Sequence, residues 1–281
     1  MTSSTSPYRA TAMRKYLLQN TETTGETAPM NRHSIEISER AGVRYLHFSA
    51  EWIQGAMRIQ RPNALELAYT QEMMAGLLLR EPPWPRNALL VGLGAGSLVK
   101  FIYHQLPKTK ITVVEINPQV EIIARLHFKL PDDPLRLRVV IGDGARFMLH
   151  EDGESYDYIL VDGFDEHGKA GVLDTEPFYQ ACRARLTPEG LLSVNLLGRS
   201  RGFAASKDRI AAAFDDRMIV FPSSNSGNAI AFARDGMSVD IGFEELLEGV
   251  GKIQQQTGLD LTSAVYRLQT DACLIRNRLY F

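Results

Sequence analysis

Cysteine is scarce in this 281-residue chain. Cys182 and Cys273 lie far apart, with no CxxC pair and no Cys/His partners. That spacing speaks against a disulfide framework and against a structural zinc site, and no metal is expected. An excess of one charge is missing too: 31 Lys and Arg face 33 Asp and Glu, a formal net charge of −2. A dedicated nucleic-acid binder usually carries a basic surplus or stripe, so no nucleic-acid partner is expected. No apolar run approaches the roughly 18 residues that a membrane-spanning helix needs, so no membrane partner is expected either. The first thirty residues lack the apolar core of a secretory signal. Residues 1–30 therefore read as a flexible tail, in which Met13 to Leu18 would form a helical turn or pair with another subunit, and the expected compartment is the cytoplasm. What remains is ordinary for a soluble protein, 44% hydrophobic and 23% charged. The length suits one large domain, or one large and one small, with a sizeable core.

The pattern begins at Ile35. Short runs near period two, Ile35 to Ile37 and Val43 to Phe48, flank the turn Glu39-Arg40-Ala41-Gly42 and read as a hairpin, with a further strand within Glu51 to Ile59. Leu65 to Arg80 carries a broad apolar face and reads as one helix, stopped by Pro82, Pro83 and Pro85. Residues 31–85 are thus expected to form a small β-rich domain plus a linking helix. Residues 86–281 begin with apolar runs that alternate with helical segments. Strands are expected over 88–92, 110–116, 137–141, 156–161 and 190–197, and a closing pair over 218–221 and 229–233. Helices are expected over 97–106, 118–128, 145–150, 175–186 and 203–214, with two more over 243–255 and 261–269. Strands apolar throughout and separated by helices predict an α/β fold, a mostly parallel sheet with helices on both faces.

Three successive strand ends carry chemistry. The first runs into Gly92-Leu93-Gly94-Ala95-Gly96, where glycines permit a tight turn and let a ligand approach the backbone. On its own such a turn also serves to pack a helix on a strand. The second strand ends in Glu115, about 20 positions on, where a carboxylate can accept hydrogen bonds from both ribose hydroxyls of a nucleoside. The third leads into Gly142-Asp143-Gly144, where Asp143 can accept a bond from an adenine amine while Gly144 supplies a backbone donor. Asp143 can equally cap the following helix. The turn holds no basic residue and lacks the Lys-Ser/Thr of a phosphate loop. A sulfonium nucleoside therefore fits better than a nucleotide polyphosphate. The fourth strand, Tyr156-Asp157-Tyr158-Ile159-Leu160-Val161-Asp162-Gly163-Phe164-Asp165, ends in two carboxylates that suit a cationic amine. The plainer alternatives are strand capping by Asp162 and an Asx-turn at Asp165.

Glycine turn, acid and acid on successive strands resemble the class I methyltransferase-like (Rossmann-like) fold that binds S-adenosylmethionine. The stretch from Ile35 to Phe232 more specifically resembles the spermidine synthase (polyamine aminopropyltransferase) family, in the Tyr-Asp-x-Ile-x-x-Asp-x-x-Asp run and in Leu173-x-Thr175-Glu176-x-Phe178-Tyr179. The resemblance implies an aminopropyltransferase that uses decarboxylated S-adenosylmethionine as co-substrate and a polyamine-like small-molecule amine as acceptor. It implies a cofactor pocket of Gln54, Gly92, Gly94, Gly96, Glu115, Asp143 and Gly144. Asp162 falls on the family's proton acceptor. Asp165, Gln71 and Tyr69 fall on its amine-binding positions, with Thr70 the alternative to Tyr69. A homodimer or homotetramer is expected. The other readings are a methyltransferase that uses S-adenosylmethionine itself and a catalytically reduced nucleoside binder.

The chain departs from the family in its amine half. Ala95 stands where the family carries an amine-contacting Asp. Asp165-Glu166-His167-Gly168-Lys169 lacks both prolines of the corresponding family loop and gains a cation, and His33 stands where a nucleoside-contacting Gln is usual. These departures predict weak or absent conversion of putrescine to spermidine when product is followed by chromatography. Putrescine turnover in the normal range for enzymes contradicts that expectation.

Overall fold

The computed structural model describes residues 35–48, 53–150, 153–165, 168–221, 227–236, 238–270 and 273–281. The expected tail, the Met13 to Leu18 stretch, His33, Glu166 and His167 lie outside the described residues. The first sheet has three antiparallel strands, β1 (Glu36–Arg40), β2 (Val43–His47) and β3 (Ile53–Arg58). The first turn is tighter than the sequence suggests. Arg40 pairs directly with Val43, and only Ala41 and Gly42 form the loop, both at positive φ. Two positive φ values match the loop's twist to that of its strands. Leu46 and Met57 point inward against Ala95 and Phe128.

The main sheet has seven strands: β4 (Asn87–Val91), β5 (Lys110–Glu115), β6 (Leu137–Ile141), β7 (Tyr156–Val161), β8 (Leu186–Leu197), β9 (Met218–Phe221) and β10 (Asn228–Ala233). Their order is β6-β5-β4-β7-β8-β10-β9. The strands from β4 to β8 run parallel, and β10 is antiparallel to both of its neighbours. Alternation along each strand builds two cores. Leu90, Val113, Leu160 and Leu191 face one way, against α1 (Ala68–Met73), α2 (Ser97–Gln105), α3 (Pro118–Phe128), α7 (Phe243–Thr257) and α8 (Thr262–Thr270). Leu89, Val91, Ile159, Val161 and Val194 face the other way, against α4 (Gly144–Leu149), α5 (Glu176–Ala184) and α6 (Phe203–Ala213). The mostly parallel sheet covered on both faces is as the strand pattern predicts. No helix among the described residues is long and apolar enough to cross a membrane.

Three departures have local causes. The helix expected over 65–80 is split into α1 and a 3-10 segment, Met74–Leu79. The Met73 carbonyl accepts from the hydroxyls of Tyr158 and Ser193, so it is drawn away from the next helical turn, and Gly76 lies directly against the Tyr158 ring. β8 starts at Leu186, four residues before the apolar run, because Tyr156 donates its backbone N–H to Arg185 and extends the pairing. A small two-stranded sheet, β11 (Asp240–Gly242) with β12 (Arg278–Tyr280), has too few alternating residues to show in the sequence.

The two sheets meet at the glycine turn. A methyl group on Gly55 of β3 would lie 2.5 Å from Ala95 Cβ and 2.9 Å from the Ala95 backbone nitrogen. One on Gly94 would lie 2.8 Å from the Gln54 carbonyl oxygen. Ser97 Oγ reinforces the joint by donating to the Ala56 carbonyl at 3.0 Å. Overpacking of this kind costs about 1–3 kcal/mol. Gly55→Ala should lose that much in denaturant unfolding, and an unchanged midpoint would show that the joint has slack.

Candidate active site

The carboxyl ends of β4, β5, β7 and β8 open onto one cavity of about 810 Å³. Its floor is the glycine turn. Gly92, Gly94 and Gly96 all adopt positive φ, at +100°, +52° and +66°. The same region that favours glycine on backbone grounds leaves no room for a side chain on Gly92, which would collide with the Asp162 carbonyl. The turn is thus wedged between β7 and β3, and its backbone faces the cavity.

Glu115, at the end of β5, is buried. Its Oε2 accepts from the Leu93 backbone N–H at 2.9 Å and its Oε1 from that of Asn117 at 2.8 Å. Burial raises the pKa of this carboxyl, and the backbone donors pull it back towards its usual range. One carboxylate therefore ties the glycine turn to the second strand while lining the cavity. Asp143 is the N-cap of α4, its Oδ1 accepting from the Arg146 N–H at 2.8 Å, and it also lines the cavity. The capping reading of Asp143 is realised, and its position beside Gly144 keeps the nucleoside reading open as well. Gln54 lines the same cavity, with its backbone against Gly94.

Asp162 follows β7. Tyr69 of α1 donates its hydroxyl to Asp162 Oδ2 at 3.2 Å, and Asn195 of β8 donates Nδ2 to Oδ1 at 2.8 Å. Burial pushes the carboxyl above its ordinary range, and these two neutral donors partly offset the effect. The Tyr69 hydroxyl is held well above the usual tyrosine range by burial and by Asp162, so it stays a proton donor. Thr70, the sequence alternative to Tyr69, turns back and donates to the Leu67 carbonyl at 2.6 Å.

Other residues fall differently from the expectation. Gln71 is not among the cavity-lining residues; its amide donates to the Leu65 carbonyl at 2.8 Å. Asp165 lines the cavity but is exposed, and its Oδ1 accepts from the Lys169 backbone N–H at 2.8 Å, a bond four residues on rather than the two of an Asx-turn. Lys169 is exposed at the same cavity, as is Arg199. Ala95 is buried with Leu46, Met57 and Phe128, so this position serves the sheet joint. Sequence reasoning missed Asn195 and Asn228, whose Nδ2 donates to Asn195 Oδ1 at 2.9 Å. An amide inside the run Leu191 to Leu197, where Ser193 is the one other polar residue, was the available signal for Asn195. Among the described residues no group of three His, Cys, Asp or Glu side chains is placed to hold a metal ion.

A mostly parallel sheet with a glycine turn pinned by a strand-end acid, beside a second acid and a half-buried carboxylate, is the architecture of the methyltransferase-like fold. The comparisons narrow this. The spermine/spermidine synthase domain matches residues 66–196. The polyamine aminopropyltransferase of Chromobacterium violaceum is 34% identical over 84% of this chain and 89% of its own length. That of Neisseria meningitidis is 31% identical over 80% and 85%. Among solved structures, human methyltransferase-like protein 13 in complex with SAH has a TM-score of 0.59 at 27% identity, covering 69% of this chain and 93% of that one. A spermidine synthase in complex with the transition-state analogue AdoDATO has a TM-score of 0.56 at 22% identity, over 79% of each chain, a likeness of fold. The chain belongs to the polyamine aminopropyltransferase (spermidine synthase) family.

Glu115→Ala removes a cavity carboxylate and the anchor of Leu93 together. Calorimetry should show methylthioadenosine bound more weakly by about 1–3 kcal/mol, the scale for hydrogen bonds to a charged group. Unchanged affinity in a folded variant removes Glu115 from the nucleoside site.

Proposed function

We propose that this chain transfers an aminopropyl group from decarboxylated S-adenosylmethionine to a small amine and releases methylthioadenosine. The observation that carries the reading is Asp162. It is a half-buried carboxylate held by two neutral donors at the strand end beside the glycine turn, in one cavity with Glu115 and Asp143. The glycine turn, Gln54, Glu115, Asp143 and Gly144 hold the nucleoside. Asp165 draws the cationic acceptor to the mouth.

In the step itself, the free amine nitrogen attacks the aminopropyl carbon next to the sulfonium. The new C–N bond takes the nitrogen lone pair. The C–S bond breaks, and its electrons return to sulfur, leaving a neutral thioether. The sulfonium is already a good leaving group, so the protein mainly positions the partners. It must also deprotonate the acceptor, because alkylammonium groups titrate near pH 10, as lysine does. Asp162 takes that proton. A carboxyl raised by burial is a stronger base than an exposed one, and two neutral donors favour its ionised form without cancelling its charge. A second reading, methyl transfer from S-adenosylmethionine, draws support from Ala95, which leaves no carboxylate at the glycine turn, and from the likeness to the human methyltransferase. Binding of the two donors separates the readings.

Asp162→Asn keeps the size but cannot accept the proton. Turnover should fall about 10²–10⁴-fold, while methylthioadenosine affinity changes little. The variant should also be the more stable protein at neutral pH. The raised carboxyl opposes folding when ionised, so the difference in melting temperature should shrink as the pH falls through the folded-state pKa. A folded Asp162→Asn variant as active as its parent removes Asp162 from the mechanism.

A further inference from the structure

The network behind Asp162 is directional. Asn228 sits on β10 and Asn195 on β8, in antiparallel strands whose register pairs Asn228 with Leu197 and Ile230 with Asn195. The two amides are therefore diagonal neighbours. Asn228 Nδ2 donates to Asn195 Oδ1 at 2.9 Å, and Asn195 Nδ2 donates to Asp162 Oδ1 at 2.8 Å. An amide has one acceptor end and one donor end. Once Asn228 occupies the acceptor end of Asn195, only the donor end can face Asp162. On the other side, the Tyr69 hydroxyl donates to Oδ2 at 3.2 Å. Each oxygen of Asp162 thus receives one neutral donor, and the carboxylate is fixed in rotation about its terminal bond.

We infer that Asn195 is a positioning residue for proton transfer, and that Asn228 acts through it by setting which end of its amide faces Asp162. The inference rests on the role proposed above for Asp162. Its consequence is a polarity that ordinary packing does not have. Asn195→Ala removes one donor from a half-buried carboxylate, which favours the neutral acid. Asn228→Ala removes the orienting donor and leaves both donors of Asp162 in place. Asn228→Asp replaces that donor by an acceptor of the same shape, so the Asn195 amide is drawn to turn its Nδ2 towards the new carboxylate and its oxygen towards Asp162. The more conservative of the two substitutions at position 228 should therefore perturb Asp162 more than Asn228→Ala does. The charged and titratable groups around the same cavity are Tyr69 on α1, Glu115 on β5, Asp143 ahead of α4, Asp165 and Lys169 after β7, and Arg199 after β8. None of them changes in these variants; the carboxylate that Asn228→Asp adds also raises the Asp162 midpoint by its like charge, so the turn of the Asn195 amide is read separately, from its own side-chain 15N–1H signals.

The test is a carboxyl 13C NMR titration of the full chain saturated with methylthioadenosine, with the Asp162 signal assigned by its loss in Asp162→Asn. The midpoint should rise by about one pH unit in Asn195→Ala. It should rise by less in Asn228→Ala and by more in Asn228→Asp than in Asn228→Ala. The acid limb of turnover with decarboxylated S-adenosylmethionine and the best acceptor of an amine panel should move with it, while methylthioadenosine affinity stays within twofold. Equal midpoints for the two Asn228 variants, or an unmoved Asp162 midpoint in Asn195→Ala, overturn the inference. Because the titration needs no turnover, it stands apart from the proposed reaction. Shifted midpoints in a protein that transfers no aminopropyl group uphold the orienting role of Asn228 and Asn195 and overturn the reaction.

Discussion

Everything in the site hangs on how closely other backbone approaches Gly92 to Gly96. The Asp162 carbonyl lies against Gly92, the Gln54 carbonyl against Gly94, and Gly55 of the small sheet against Ala95. The buried Glu115 carboxylate adds a fixed hydrogen bond to the Leu93 N–H in the middle of the turn. These contacts bring three strand ends and the first sheet within reach of one ligand. They need residues without side chains, because any Cβ at these points meets backbone that cannot give way. The result is a rigid wall of backbone along one side of the cavity, with carboxylates set at its edges.

Burial then sorts the carboxylates. Glu115 and Asp162 are both pushed upward by desolvation, and both are held by donors that favour the ionised form. They differ in what those donors do. Backbone N–H groups fix Glu115 as part of the scaffold. Side chains from two different elements, Tyr69 and Asn195, hold Asp162, whose surroundings can be altered without moving the chain. Placing an ionised acid in such a pocket works against folding. The strands beneath it are apolar on both faces and supply the packing that offsets this.

Much of the fold was legible because a covered parallel sheet leaves apolar strands and glycine turns in plain view. The order of acids at the strand ends followed from the same pattern. What could not be read has specific causes. The split of the expected 65–80 helix depends on Tyr158 and Ser193 claiming the Met73 carbonyl from far along the chain. Ala95 counts in the sequence as a missing amine contact, whereas in the fold it is one half of a pair with Gly55. Gln71 carries the expected motif, yet its amide turns to Leu65. Asn195 and Asn228 stayed hidden because their pairing is set by strand register. The two residues are 33 positions apart, so no local motif joins them.

The central claim is that Asp162 and the pocket beside it serve aminopropyl transfer. The most direct measurement incubates the full chain with decarboxylated S-adenosylmethionine, and separately with S-adenosylmethionine, across a panel of small amines, and identifies the products by mass spectrometry. The claim requires at least one amine to gain an aminopropyl group with release of methylthioadenosine, and only with the decarboxylated donor. Methylation of an acceptor by S-adenosylmethionine, with no aminopropyl product from the other donor, would contradict it.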